Sequence, residues 1–213
     1  MTLPALYAIL DAEVAAVRGW MLPDLARACF EGGARLVQVR AKTAAGGWLL
    51  HITDEIQAAA AACGARVIVN DRADVAAIAG AAGVHVGQDD LPPAAARRVV
   101  GTAALVGLST HSPAQIRQAL TEPLDYLAVG PVFGTATKDT GYEAVGLQLV
   151  REAAALAAAA PHPRPVVAIG GITLERAADV IAAGAAAVAV IGDLFATGDP
   201  RARVRAFGDR LGW

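Results

Sequence analysis

Residues 130 to 138 read Gly130-Pro131-Val132-Phe133-Gly134-Thr135-Ala136-Thr137-Lys138. Two hydroxyls, Thr135 and Thr137, and one ammonium, Lys138, fall close together on backbone kept open by Gly134. Hydroxyls, open backbone N–H groups and a point charge are what a phosphate or pyrophosphate needs. The apolar run before this stretch, Tyr126 to Val129, reads as a buried strand that Gly130-Pro131 turns into a loop. A plain polar connection with a solvated Lys138 has the same composition, so the weight rests on whether similar loops recur.

They do recur, each at the end of an apolar run. One run ends Gln38-Val39-Arg40-Ala41-Lys42, and strand alternation sends Gln38, Arg40 and Lys42 to one side. Others end Asn70-Asp71-Arg72, His85-Val86-Gly87-Gln88-Asp89-Asp90, Ser109-Thr110-His111, Gly170-Gly171-Ile172 and Ile191-Gly192-Asp193. Each has an ordinary use beside a functional one. Arg40 and Lys42 could pair with Asp71 or Glu55 at a rim. Asp71 could cap the next helix, and one of Asp89 and Asp90 could cap the helix begun at Pro92-Pro93. His85, between apolar neighbours, suits a hydrogen-bonded core position better than a ligand. His111 fits either a helix start or an acid/base group, and His51 and His162 read as surface residues.

Taken together, the strand ends give two sets. Arg40, Lys42, Asn70 and Lys138 form a cationic and amide set near two carboxylates, Asp71 and Asp90. Carboxylates beside phosphate-seeking cations make sense if Mg²⁺ joins them, because Mg²⁺ takes oxygen ligands and accompanies phosphates. Thr135, Thr137, Gly171 and Gly192 form an uncharged nest suited to a monophosphate. A pyrophosphate and a monophosphate in one pocket suggest transfer of a group from a diphosphate to a phosphorylated acceptor.

The elements that must bring these residues together are legible in the apolar pattern. Strands are expected at Ala5–Leu10, Leu36–Arg40, Arg66–Asn70, Gly83–Gly87, Leu105–Ser109, Asp125–Val129, Val166–Ile169 and Ala187–Ile191. Helices are expected near Asp24–Glu31, Gly47–Ala62, Asp74–Ala79, Pro92–Val99, Pro113–Leu120, Gly146–Ala159, Thr173–Ala182 and Asp199–Leu211. Ser112-Pro113 reads as an N-cap followed by proline at the first helical position. Strands that are apolar throughout belong to a parallel sheet covered on both faces. The alternation predicts a (β/α)₈ TIM barrel formed by residues 1–213 as one catalytic domain, and such barrels place their sites at the C-terminal ends of the strands. The main alternative, a doubly wound open sheet, would need a phosphate loop after the first strand, and Asp11 to Gly19 carries no glycine fingerprint.

Composition narrows the function classes. The net charge is −2 and the basic residues are dispersed, which argues against a nucleic-acid or membrane surface. Cys29 and Cys63 lie in alanine-rich segments without metal spacing and read as buried thiols. Met1 to Leu10 lacks the basic start of a signal peptide, and no 18-residue apolar run is present. A cytoplasmic protein acting on small molecules is expected, with a homo-oligomer left open.

The chain resembles the thiamine-phosphate synthase family from Tyr7 to about Asp193. The resemblance is carried by the strand-end motifs already quoted, together with Asn70-Asp71-Arg72-Ala73-Asp74, Gly83-Val84-His85-Val86-Gly87-Gln88-Asp89-Asp90-Leu91-Pro92, Gly107-Leu108-Ser109-Thr110-His111 and Val167-Ala168-Ile169-Gly170-Gly171-Ile172. It implies an enzyme that joins a hydroxymethylpyrimidine diphosphate to a hydroxyethylthiazole phosphate, releasing pyrophosphate. By matching position, Arg40, Lys42, Asn70 and Lys138 would hold the diphosphate and Asp71 and Asp90 the Mg²⁺. Gln38 and Ser109 would face the pyrimidine, and Thr135, Thr137, Gly171, Val190, Ile191 and Gly192 would bind the thiazole phosphate. The chain departs from the family pattern at Gly192, where members often carry Ser, and in the polar stretch Asp139 to Glu143. Two rivals share the barrel: a thiazole phosphate tautomerase-like isomerase, with His111 as its acid/base candidate, and a non-catalytic barrel that senses thiamine intermediates.

Overall fold

Runs of Val, Ile, Leu and Ala without polar alternation are satisfied only where both sheet faces are covered. The computed structural model describes residues 2–134 and 143–213. In it, β1 (Leu6–Asp11), β2 (Leu36–Arg40), β3 (Arg66–Asn70) and β4 (Gly83–Val86) continue into β5 (Leu105–Thr110), β6 (Tyr126–Val129), β7 (Val166–Ile169) and β8 (Ala187–Val190). Every neighbouring pair is parallel, and β8 closes on β1 through Leu6 opposite Val188, so the expected barrel is complete. Tyr7, Ile9, Leu36, Ile68, Tyr126, Val167 and Ala187 fill the barrel interior. The alternate residues, such as Leu6, Ala8, Leu10, Val37 and Val39, pack outward against the helices.

Those helices are α1 (Ala12–Val17), α2 (Leu22–Gly32), α3 (Gly46–Ala61), α4 (Ala73–Ala79), α5 (Pro93–Val100), α6 (Pro113–Ala119), α7 (Gly146–Ala159), α8 (Leu174–Ala182) and α9 (Pro200–Leu211), with a 3₁₀ turn at Gly192–Phe195. Among the described residues, no helix is long and apolar enough to cross a membrane. Alanine lets the helices lie close to the sheet: Ala15, Ala26, Ala96, Ala153 and Ala177 have no exposed surface. Gly107 has a comparable purpose inside the barrel. A Cβ there would lie 2.1 Å from the Tyr126 ring, so glycine makes the space that this ring occupies.

Some local expectations need correcting. The six-residue α1 is not among the expected helices; it forms because Asp11, the last residue of β1, accepts from the N–H groups of Glu13 and Val14 at 3.1 and 3.0 Å. Ser112 caps α6 as expected, accepting from Gln115 N. Neither Asp71 nor Asp89 nor Asp90 caps a helix: the cap positions of α4 and α5 are Arg72 and Pro92, without a side-chain bond. Cys29 is buried, and burial pushes its thiol up to about 12, whereas Cys63 is only half-buried.

Candidate active site

The C-terminal ends of β2, β3, β4 and β5 deliver the expected polar residues to one mouth. Gln38, Arg40, Asn70, His85 and Ser109 line a small cavity of about 40 Å³ within it. Gln38 is almost fully buried, and its Nε2 donates to Tyr7 Oη at 2.9 Å. Asn70 sits opposite His85 in the β3–β4 register. His85 is the buried, hydrogen-bonded histidine that its apolar neighbours suggest, held between Tyr126 Oη at 3.0 Å and Ser109 Oγ at 2.9 Å.

The two carboxylates do come together. Asp71 takes a left-handed backbone conformation (φ 63°), and its N–H donates to His85 O at 2.7 Å. That conformation is uncommon outside glycine but open to Asp and Asn. It brings the Asp71 carboxylate within 3.2 Å of Lys42 Nζ and beside Asp90. Asp90 closes its own loop by accepting from Gly87 N at 2.8 Å. Partial burial, and next the neighbouring Asp90, hold the Asp71 carboxyl above the usual carboxylate range, with Lys42 only partly opposing them.

This arrangement has a sign that can be checked. An acid whose folded pKa exceeds its unfolded one costs stability once ionised. The cost is absent below the unfolded value near ~4 and complete above the raised folded value. Asp71→Asn keeps a residue suited to the left-handed backbone and removes the charge. Without divalent metal, the variant is expected to melt a few degrees above wild type near pH ~7.5, the scale on which ~1 kcal/mol moves a chain of this length. The gap should close as the pH falls to about 4. Thermal unfolding followed by circular dichroism measures this, and a lower melting point at neutral pH would refute the account.

Arg40 takes a different ion-pair partner from those expected at the rim. It pairs with Asp11, opposite it in the β1–β2 register, rather than with Asp71 or Glu55. The signal for Asp11 is present in the sequence: Tyr7, Ile9 and Asp11 alternate on one side of β1, as Gln38 and Arg40 do on β2.

A second, larger cavity of about 460 Å³ adjoins the first, and the two share Ser109, Ile169, Ala189 and Ile191. Gly171, Ile191 and Gly192 line it. Val190 does not, because its side chain is buried in the outward core, so only its backbone could face a ligand. Thr135, Thr137 and Lys138 lie outside the described residues. Gly171 is required first by the chain itself: its φ is +62°, and a Cβ would sit 2.6 Å from Gly134 O. The nest is also not uncharged. Arg18 and Arg176 line the cavity, and Arg176 Nη1 donates to Gly171 O at 2.9 Å while its guanidinium lies 4.6 Å from the Phe133 ring centroid. Both arginines come from helix ends, where a search of strand ends does not look. Asp193 accepts from Leu174 N at 3.0 Å and so supplies the α8 cap that Thr173 does not.

The two joined cavities, one lined by Gln38, Arg40 and Asn70 with Lys42 and the carboxylate pair at the adjoining strand ends, the other by glycine turns and arginines, suit two anionic ligands side by side. The chain is similar to known proteins along nearly its whole length. A family model described as thiamine monophosphate synthase matches residues 6–194. A thiamine-phosphate synthase of Methanoculleus marisnigri is 43% identical over 206 residues, covering 97% of this chain and 94% of the relative. Its counterpart in Koribacter versatilis is 43% identical over 209 residues, covering 97% and 95%. Among solved structures, the thiamine phosphate pyrophosphorylase of Pyrococcus furiosus superposes with a TM-score of 0.85 at 28% identity, covering 97% of this chain and 94% of that one. The chain belongs to the thiamine monophosphate synthase family.

Proposed function

We propose that the protein is a thiamine-phosphate synthase, a transferase that condenses 4-amino-2-methyl-5-hydroxymethylpyrimidine diphosphate with 4-methyl-5-(2-hydroxyethyl)thiazole phosphate to thiamine phosphate and pyrophosphate. The observation that carries the site assignment is the meeting of Asp71, Asp90 and Lys42 just past the ends of strands whose own residues Gln38, Arg40 and Asn70 line the small cavity. The diphosphate is assigned to Arg40, Lys42 and Asn70, with the pyrimidine against Gln38 and Ser109; Lys138, outside the described residues, is assigned to the diphosphate by its place in the sequence. The thiazole phosphate takes the larger cavity, at Gly171, Ile191 and Gly192 and the backbone of Val190; Thr135 and Thr137, outside the described residues, are assigned to it by their place in the sequence.

Asp71 and Asp90 fit Mg²⁺: two close carboxylates relieve their mutual repulsion on a divalent ion, and Mg²⁺ keeps waters and substrate phosphates as its other ligands. When bound, Mg²⁺ supplies charge to stabilise the departing pyrophosphate. The residues do the rest by position and field. The amino group pushes electrons through the ring, the bond from the methylene carbon to the diphosphate oxygen breaks, and the thiazole nitrogen forms the new C–N bond. Such a step needs no protein nucleophile, only a stabilised leaving group and aligned reactants. A cytoplasmic location accords with this chemistry.

Incubating the protein with both substrates, with and without Mg²⁺, tests the proposal. Thiamine phosphate by mass, together with an equal amount of released pyrophosphate, is expected only with the metal. Conversion of a thiazole phosphate without pyrophosphate would show an isomerase, and binding without turnover a sensor.

A further inference from the structure

Five polar side chains from five different strands form one unbroken chain across the barrel. Gln38 Nε2 donates to Tyr7 Oη at 2.9 Å, and Tyr7 Oη lies 3.1 Å from Tyr126 Oη. Tyr126 Oη lies 3.0 Å from His85 Nδ1, and His85 Nε2 lies 2.9 Å from Ser109 Oγ. Burial pushes both tyrosine hydroxyls above their ordinary range, so each keeps its single proton. A neutral imidazole also offers one donor and one acceptor. With His85 neutral, such a chain makes all of its bonds in only two arrangements, every bond pointing one way or every bond pointing the other.

Gln38 chooses between them. With its amide nitrogen donating to Tyr7, the Tyr7 proton must go to Tyr126 and the Tyr126 proton to His85 Nδ1. His85 then carries its proton on Nε2 and donates to Ser109. Ser109 is left to direct its own proton into the cavity, and Gln38 to direct Oε1 there. The reverse arrangement would turn the amide N–H groups of Gln38 toward a space that the cationic Arg40 also lines. Positive facing positive disfavours it.

We infer that this chain fixes the polarity of the pocket floor, presenting an acceptor at Gln38 and a donor at Ser109, and that His85 is a positioning residue that carries the setting from one to the other. An aminopyrimidine answers both, with a donor on its amino group and an acceptor on the adjacent ring nitrogen. The oxo-pyrimidine of the same shape reverses the pair, with an acceptor oxygen and a ring N–H. The choice of pyrimidine rests on the proposed function; the direction of the chain does not.

Long-range ¹H–¹⁵N correlation spectra of the full chain with labelled histidine test the direction. His85 should appear with its proton on Nε2, and His111, whose Nδ1 faces Gly130 O at 2.6 Å, should appear as the opposite tautomer in the same spectrum. Tyr7→Phe cuts the link while keeping the ring, and His85 should then populate both tautomers; Tyr126→Phe should do the same. Calorimetry with 4-amino-2-methyl-5-hydroxymethylpyrimidine and its 4-oxo counterpart reads the consequence. The preference of the wild type for the amino compound should fall at least ~10-fold in both variants, about the worth of one buried hydrogen bond. A wild-type His85 protonated on Nδ1, or an unchanged preference in both variants, would overturn the inference. The two readings separate cleanly: normal product formation with the wrong tautomer refutes the chain alone, and the expected tautomer without product refutes the proposed activity alone.

Discussion

Replacing Asp90 by alanine is expected to lower turnover at least ~100-fold, the scale for losing one group that stabilises charge in a transition state. Asp90 has two jobs that a single variant would confuse. Its Oδ2 accepts from Gly87 N at 2.8 Å and so holds its own loop, and its charge sits beside that of Asp71. Asp90→Asn separates them, since an amide oxygen still accepts from Gly87 N and the charge is gone. If the charge matters through a divalent ion, both variants should lose turnover alike, and both should need more Mg²⁺ for the activity that remains. If the loop matters, the asparagine variant should approach wild type. Steady-state kinetics over a Mg²⁺ titration decide it, and near-normal turnover in Asp90→Asn would remove Asp90 from the proposed metal site.

How far the sequence reaches depends on whether a feature is local. The eight strands are readable because each is a short apolar run; β2, β3 and β7 fall where expected to the residue, and β8 begins where expected. Helix α1 is too short for periodicity to show, and depends on one side chain, Asp11, accepting two N–H bonds. The site divides the same way. Gln38, Arg40, Asn70, Asp71 and Asp90 are legible as the polar residues that close each apolar run, because a parallel barrel sends those ends to one face. Asp11 obeys the same rule, but a test of the β1 end for a glycine fingerprint is blind to a lone charge there. The link between Tyr7 and Tyr126 spans 119 residues. No local pattern announces it; it exists only once the barrel is closed and Gly107 has cleared room for the ring.

The second large effect lies beneath the larger cavity and tests how its rim is held. Arg203 Nε and Nη2 each donate to the Asp193 carboxylate at 2.9 Å, and Asp193 Oδ2 also accepts from Leu174 N at 3.0 Å. One carboxylate therefore ties the 3₁₀ turn after β8 to the start of α8 and to α9. Both side chains of the pair are only 10% exposed. Removing one partner of a buried pair leaves an uncompensated charge and costs ~3–5 kcal/mol. Arg203→Met should accordingly lower the melting temperature by about 10 °C, given the few degrees per kcal/mol typical of this size. Because Gly171, Asp193 and Gly192 share that cavity, the KM for the thiazole phosphate should rise more than that for the pyrimidine diphosphate. The double variant Asp193→Asn, Arg203→Met should recover part of the lost stability, since asparagine still accepts from Leu174 N and no charge is stranded. A single variant melting within a degree or two of wild type, or a double variant worse than the single, would mean that the pair does not anchor this rim.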